Sequence, residues 1–222
     1  MSCDSSSLYV LGETNHYLVA WKEAGILSQA DSSDDIDMLA LVKDYIKDTY
    51  QKPGNVYVGL VNRLDQPVSG VMVFGKSSKG ASRLSDSIRA HSFKKTYLAF
   101  ATGSIQEDAR WVNYLVKSDQ RAYESKVGKE SILSFKVIKE DTILGQKGTW
   151  VLINLETGRY QQIRCQFSLH HHPLLGDKKY GYDGPKSDIY LSCISLTFPD
   201  PITKEDVTYT HLPDWAPQDL EL

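Results

Sequence analysis

Asp65 is the residue whose setting could do chemistry. It stands within Gly59–Phe74, read as GLVNRLDQPVSGVMVF, after an apolar run ending at Val61 and before the β-rich run Val71-Met72-Val73-Phe74. This spacing predicts a connection between two strands. Gln66-Pro67 fixes a turn and Gly70 permits an unusual backbone just before the second strand. A carboxylate held between rigid flanks can serve as a nucleophile or a general base. The same local signals also suit an Asx turn, in which Asp65 only bonds its own backbone. Tyr97, in the β-like run from Thr96 to Ala101, points away from Thr96 and Leu98, and could stack on a planar ring or simply pack. Arg164 is offset from Ile163, Gln166, Phe167 and His170, which recur at helical spacing, so it could face a cleft or lie on the surface. His170-His171-His172 invites a metal, but consecutive helical side chains diverge by about 100°, and no metal site is expected.

The 222 residues suffice for one well-cored domain, taken as spanning 1–222 with no separate N-terminal RNA-binding domain. Hydrophobic residues make up 41% and charged residues 24%, as in an ordinary globule, without a long apolar run or a basic leader at Met1-Ser2-Cys3-Asp4. A cytoplasmic monomer away from membranes is the expectation. Cys3, Cys165 and Cys193 are too few and too scattered for a disulfide framework or a four-cysteine zinc site. Net charge is -3, yet Lys76, Lys79, Arg83, Arg89, Lys94 and Lys95 face only Asp86 in their segment, a local +5 that leaves -8 for the rest. That asymmetry suits one face for an anionic polymer, although a solvated helix face gives the same pattern.

The string Asn62-Arg63-Leu64-Asp65-Gln66-Pro67-Val68-Ser69-Gly70 resembles the H-R-L-D-x-x-T-S-G motif of the RluA-type pseudouridine synthases, which isomerise uridine to pseudouridine in RNA. Two further blocks follow in the family's order. Lys94-Lys95-Thr96-Tyr97-Leu98-Ala99 is similar to its K-x-Y segment. Thr157-Gly158-Arg159-Tyr160-Gln161-Gln162-Ile163-Arg164 and His172-Pro173-Leu174-Leu175-Gly176-Asp177-Lys178-Lys179-Tyr180-Gly181 are similar to its G-R-T-H-Q-I-R and H-P-I-x-G-D-x-x-Y-G blocks. Lys22-Glu23-Ala24-Gly25 resembles its K-P-A-G segment, with Glu23 in place of proline. Asn62, Val68, Tyr160, Gln161 and Gln166 also depart from the family's usual residues.

Around these blocks the pattern predicts a loose hairpin from Leu8–Leu11 and Tyr17–Trp21, and a helix over about Ile36–Tyr50 capped by Asp34 or Asp35. A second helix is capped by Ser77 or Ser78 and aligns Ala81, Leu84, Ile88 and His91 on one face, with Lys79 and Arg83 on another. Residues 106–130 read as connections with short strands. Leu133, Phe135 and Val137 pair with Thr149–Leu155 in a hairpin, and a strand through Ile194, Leu196 and Phe198 stops at Pro199.

The resemblance implies an α+β fold, with a mixed, largely antiparallel sheet flanked by helices, and an isomerase needing no cofactor. It implies Asp65 as the catalytic aspartate, Arg164 as its ion-pair partner, and Tyr97 as the ring stacked on the target base. Arg63 would brace the space left by the extruded nucleotide. Arg63, Lys76, Lys79, Arg83, Lys94, Lys95 and Arg159 are the candidate RNA contacts, with tRNA or rRNA as substrate. An RNA-binding protein that keeps this fold without turnover is the alternative, and a nucleoside hydrolase using Asp65 comes third.

Overall fold

A computed structural model describes residues 8–30 and 36–220. The chain divides into two compact units, Met1–Phe93 with Ser195–Leu212, and Lys94–Ile194 with Pro213–Leu222.

In the first unit, strand β1 (Tyr9–Glu13) pairs antiparallel with β2 (Tyr17–Lys22), the hairpin expected from sequence. β2 pairs in turn with β4 (Ser69–Gly75), to which the short β3 (Gly59–Leu60) is added. Every residue of β2 and β4 is buried. The unbroken apolar run at 71–74 is thereby explained, since a strand covered on both faces has no reason to alternate. Two α-helices lie among the described residues of this unit. α1 (Met38–Thr49) buries Met38, Val42 and Ile46, one residue per turn, and its N-cap is Asp37, whose Oδ1 accepts from Ala40 N at 2.7 Å. The capping residues expected from sequence, Asp34 and Asp35, lie outside the described residues. α2 (Ser78–Arg89) is capped by Ser77, whose Oγ accepts from Gly80 N at 3.1 Å. It ends before His91, which has φ 56° and is exposed, so His91 leaves the helical face assigned to it. Helix and sheet approach closely: a Cβ on Gly75 would come within 2.6 Å of the Ala81 backbone, and one on Gly59 within 2.6 Å of the Ala81 Cβ.

In the second unit, β5 (Lys94–Thr102), β6 (Ala109–Ser118), β7 (Arg121–Glu124), β8 (Lys129–Ile143) and β9 (Gln146–Leu155) line up in the order β5-β9-β8-β6-β7. The hairpin expected from Leu133 and Thr149 is β8 with β9, whereas 106–130 holds a ten-residue strand where short pieces were expected. β6 is half-exposed along most of its length, and it exposes Val112 and Tyr114 while burying Asn113, so its alternation is blurred. α3 (Gln162–Leu169) buries Phe167 against Trp111 and Phe135, with ring centroids 4.8 and 5.5 Å away. Strand β10 (Leu191–Pro199) runs from the second unit into the first, where β11 (Asp206–Thr210) pairs with its end. The class is α+β, a mixed sheet flanked, among the described residues, by three α-helices, and each register described here is antiparallel. No helix among the described residues is long and apolar enough to cross a membrane.

The connection carrying Asp65 is held from beneath by β2. The Lys22 side chain is fully buried, and its Nζ donates to the carbonyls of Val68 at 2.7 Å, Gln66 at 3.0 Å and Glu23 at 3.0 Å, using all three N–H bonds of the ammonium. Gly25 N donates to Gln66 O, and Ser28 Oγ both donates to Leu64 O and accepts from Leu64 N. Burial pushes the Lys22 pKa down from 10.5 to about 7, against the opposing pull of the Asp65 and Glu23 carboxylates. Between those values the unfolded chain carries a proton that the folded chain does not, so stability rises with pH across that window. Lys22→Met leaves three carbonyls without a donor and is expected to destabilise by about 2–4 kcal/mol. Urea melts should show the gap to wild type widening from pH 7 toward pH 9.5; a pH-independent gap would contradict a lowered Lys22 pKa.

Candidate active site

Asp65 lies in the first unit, half-buried, in the turn between β3 and β4, which closes when Val68 N donates to Asp65 O at 3.0 Å. Leu64 and Val68 on either side are buried, and Lys22 is the basic group under the turn, its charge favoured by the Asp65 carboxylate and opposed by burial. Asn62, where the family motif has histidine, is buried and spans to β4: its Oδ1 accepts from Val73 N at 2.9 Å and its Nδ2 donates to Val71 O at 3.4 Å. This position therefore serves the backbone of the strand after the turn. Arg63 beside Asp65 is exposed.

Tyr97 and Arg164 lie in the second unit. Tyr97 is buried on β5, opposite Ile153 of β9. Arg164 is buried on α3, and its guanidinium meets Asp177 in a two-pronged ion pair, Nε to Oδ2 at 2.7 Å and Nη2 to Oδ1 at 2.8 Å. Asp177 is itself fully buried. The Arg164 guanidinium carbon is 5.2 Å from the ring centroid of Tyr180, and that of Arg121 is 4.9 Å from the same ring. Tyr180 is fixed at its hydroxyl, which accepts from Ala122 N and donates to Gln161 Oε1, each at 2.7 Å, while burial pushes its pKa up to about 12. The sequence reading assigned no role to Asp177 or Tyr180, the residues that hold Arg164; both stand in the H-P-L-L-G-D-K-K-Y-G block, an acid and a phenol three residues apart.

The other departures are absorbed into local structure. Gln161 adopts a left-handed backbone at the start of α3, φ 49°, and uses its side chain on Tyr180. Gln166 is buried, accepts from Gln162 Nε2 at 3.0 Å, and donates to Asn113 Oδ1 at 2.8 Å and Ser131 O at 3.2 Å. Tyr160 is exposed and carries the Lys117 ammonium 4.5 Å above its ring. His170 stacks on Trp111 with centroids 3.9 Å apart, His172 Nδ1 lies 2.9 Å from Thr102 O, and His171 is exposed; among the described residues no group of three or more His, Cys, Asp or Glu could hold a metal.

The candidate RNA contacts have different surroundings. Lys79 and Lys94 are exposed. Lys76 is tied to Glu13 and lies 4.6 Å above the Tyr50 ring, Arg83 donates to Pro201 O at 3.1 Å, and Arg159 donates to Glu130 O at 2.9 Å. Lys95 is half-buried on β5, and burial lowers its pKa.

Comparison with known proteins gives these features a family. The profile described as RNA pseudouridylate synthase matches residues 16–169. The uncharacterized RNA pseudouridine synthase YhcT of Bacillus subtilis strain 168 is 32% identical over 78% of this chain, which spans 58% of that relative's length. The dual-specificity RNA pseudouridine synthase RluA of Haemophilus influenzae is 27% identical over 94% of both chains. The solved structure of human RNA pseudouridylate synthase domain containing 1 shares the fold, with a TM-score of 0.79 at 21% identity, covering 98% of this chain and 88% of that one. The chain belongs to the RNA pseudouridylate synthase family, among its RluA-type members.

Proposed function

We propose that this chain is an RNA pseudouridine synthase, isomerising uridine to pseudouridine in tRNA or rRNA with Asp65 as its catalytic carboxylate. The observation that carries this is the Asp65 turn, in which a half-buried acid sits on a backbone braced by Lys22 at Gln66 and Val68 and by Ser28 at Leu64. Relatives named for tRNA and for the large ribosomal subunit support both substrate classes. The reading includes a cytoplasmic monomer acting as one catalytic domain without metal or cofactor.

The reaction breaks the bond from uracil N1 to ribose C1′, turns the base, and joins C5 to C1′; the proton lost from C5 is balanced by one gained at N1. Asp65 would act on the nucleotide as nucleophile or base. Tyr97 would stack on the extruded base and assist proton transfer at the newly bonded carbon. Arg164 would serve as the cation of the site. Asp177 supports that role, because a two-pronged bond fixes the plane of a guanidinium and so the direction of its remaining N–H groups. Arg63 would fill the space vacated by the base, and Lys79 and Lys94, being exposed, are the best placed of the basic residues to meet phosphates. Lys76, Arg83 and Arg159 would contribute through N–H groups beyond those already bonded within the protein. The non-catalytic alternative rests on the altered histidines and the net charge of -3; the hydrogen bonds of Asn62, Gln161 and Gln166 give the first of these a structural account and so weaken it.

Asp65→Asn is expected to abolish pseudouridine formation on tRNA and rRNA transcripts while RNA affinity stays within about twofold, because neither charge nor shape at the phosphate contacts changes. Full activity in that variant would refute the assignment. Asp177→Asn removes the carboxylate charge of a buried, two-pronged ion pair and is expected to destabilise by about 3–5 kcal/mol. Chemical denaturation measures this; a shift below about 1 kcal/mol would mean that the pair does not hold Arg164.

A further inference from the structure

We propose that Lys95 is a base-pocket residue, whose ammonium receives a carbonyl oxygen of the target uracil and stabilises the negative charge gathered on the ring while the base is off the sugar. The proposal rests on the reading of this chain as a pseudouridine synthase.

Lys95 stands two residues before Tyr97 on β5, so the two side chains leave the strand on one face. Its neighbour Lys94 is exposed, but Lys95 is half-buried. The Lys95 Nζ lies 3.1 Å from where a Cβ on Gly158 would stand, so the ammonium rests over a glycine of the loop after β9. Other lysines drawn into the protein have acceptors: Lys22 has three carbonyls and Lys76 has Glu13. Among the described residues Lys95 has neither a hydrogen bond nor an ion pair, and the group acting electrostatically on it is the buried thiol of Cys193. A partly desolvated cation without a counter-charge is unfavourable unless a ligand supplies one.

A backbone phosphate needs no such burial, and exposed Lys79 and Lys94 can take one. A lysine pressed onto a glycine beside a tyrosine fits the edge of a flat ring instead. When the C1′–N1 bond breaks, its electron pair stays on the uracil and spreads to O2 and O4. Should the carboxylate add to the ring, the charge falls on O4. Either route makes a ring oxygen the strongest acceptor before C5 joins C1′ and N1 is reprotonated. Lys95 keeps its own proton throughout, and its contact is stronger in the charged state than in the starting uridine, which is the condition for accelerating the reaction.

The test measures single-turnover rates and salt-dependent RNA binding on a pool of unmodified tRNA and large-subunit rRNA transcripts, for wild type, Asp65→Asn, Lys95→Met, Lys95→Arg and Gly158→Ala. Lys95→Met should lose about 10²-fold in rate, the loss typical of removing one preorganised donor, and Lys95→Arg should recover part of it. Gly158→Ala displaces the ammonium without altering charge and should slow turnover several-fold, with RNA affinity and its salt slope unchanged in all variants. Wild-type rates in Lys95→Met overturn the proposal. So does an intact rate with weaker binding and a salt slope reduced by about one, the mark of a phosphate contact. Should Lys95→Met fail to fold, unchanged rates in both Lys95→Arg and Gly158→Ala overturn it. A wild-type protein inactive on every transcript fails the enzyme reading and this inference together, whereas an active wild type, an inactive Asp65→Asn and a fully active Lys95→Met fail this inference alone.

Discussion

Three hydrogen bonds from one buried ammonium govern the first unit. The Lys22 Nζ gathers the carbonyls of Glu23, Gln66 and Val68, so the end of β2 and the turn that carries Asp65 share one donor. A carbonyl buried without a partner costs about 1–3 kcal/mol, so the turn has few conformations that do not sacrifice at least one such bond. The second unit uses the opposite arrangement to the same end. There a buried carboxylate, Asp177, receives two N–H groups of Arg164, and the Tyr180 ring closes over the guanidinium. In both places the group assigned to chemistry is steadied by a buried ionisable side chain whose own hydrogen bonds are directed to fixed atoms.

What could be read from the sequence was what depends on neighbours in the chain. The hairpin of β8 and β9, the strand ending at Pro199, the Ser77 cap and the turn at Asp65 all announce themselves within a few residues, through alternation, a capping hydroxyl or a proline. Where several acids stand together, as before α1, local chemistry cannot choose among them, and Asp37 is selected by its bridge to Leu27. β6 was obscured because its exposed positions include Val112 and Tyr114 while Asn113 is buried, so apolar and polar residues do not follow the two faces of the strand. The roles of Lys22 and Asp177 depend on partners that are distant in sequence or on burial, neither of which a motif states.

The departures from the family motif follow a consistent logic. Asn62 can donate and accept at once, which lets it bond both Val71 O and Val73 N. Gln161 and Gln166 have the same dual character, and each links two partners that a neutral imidazole would meet with different reach. Substituting amides for histidines also removes groups that titrate near neutrality, so these scaffolding bonds keep one protonation state across the physiological range.

The contact between α2 and the strands around Asp65 has a mechanical consequence. Gly59 and Gly75 have no side chains to keep Ala81 at arm's length, so the helix lies on β3 and β4 with no compressible layer between them. The exposed lysine at the start of that helix and the acid in the turn are thus parts of one stiff bracket. Whatever strand Lys79 grips would be measured off against Asp65 by a gauge set in the protein, and flexibility in the RNA would have to accommodate it.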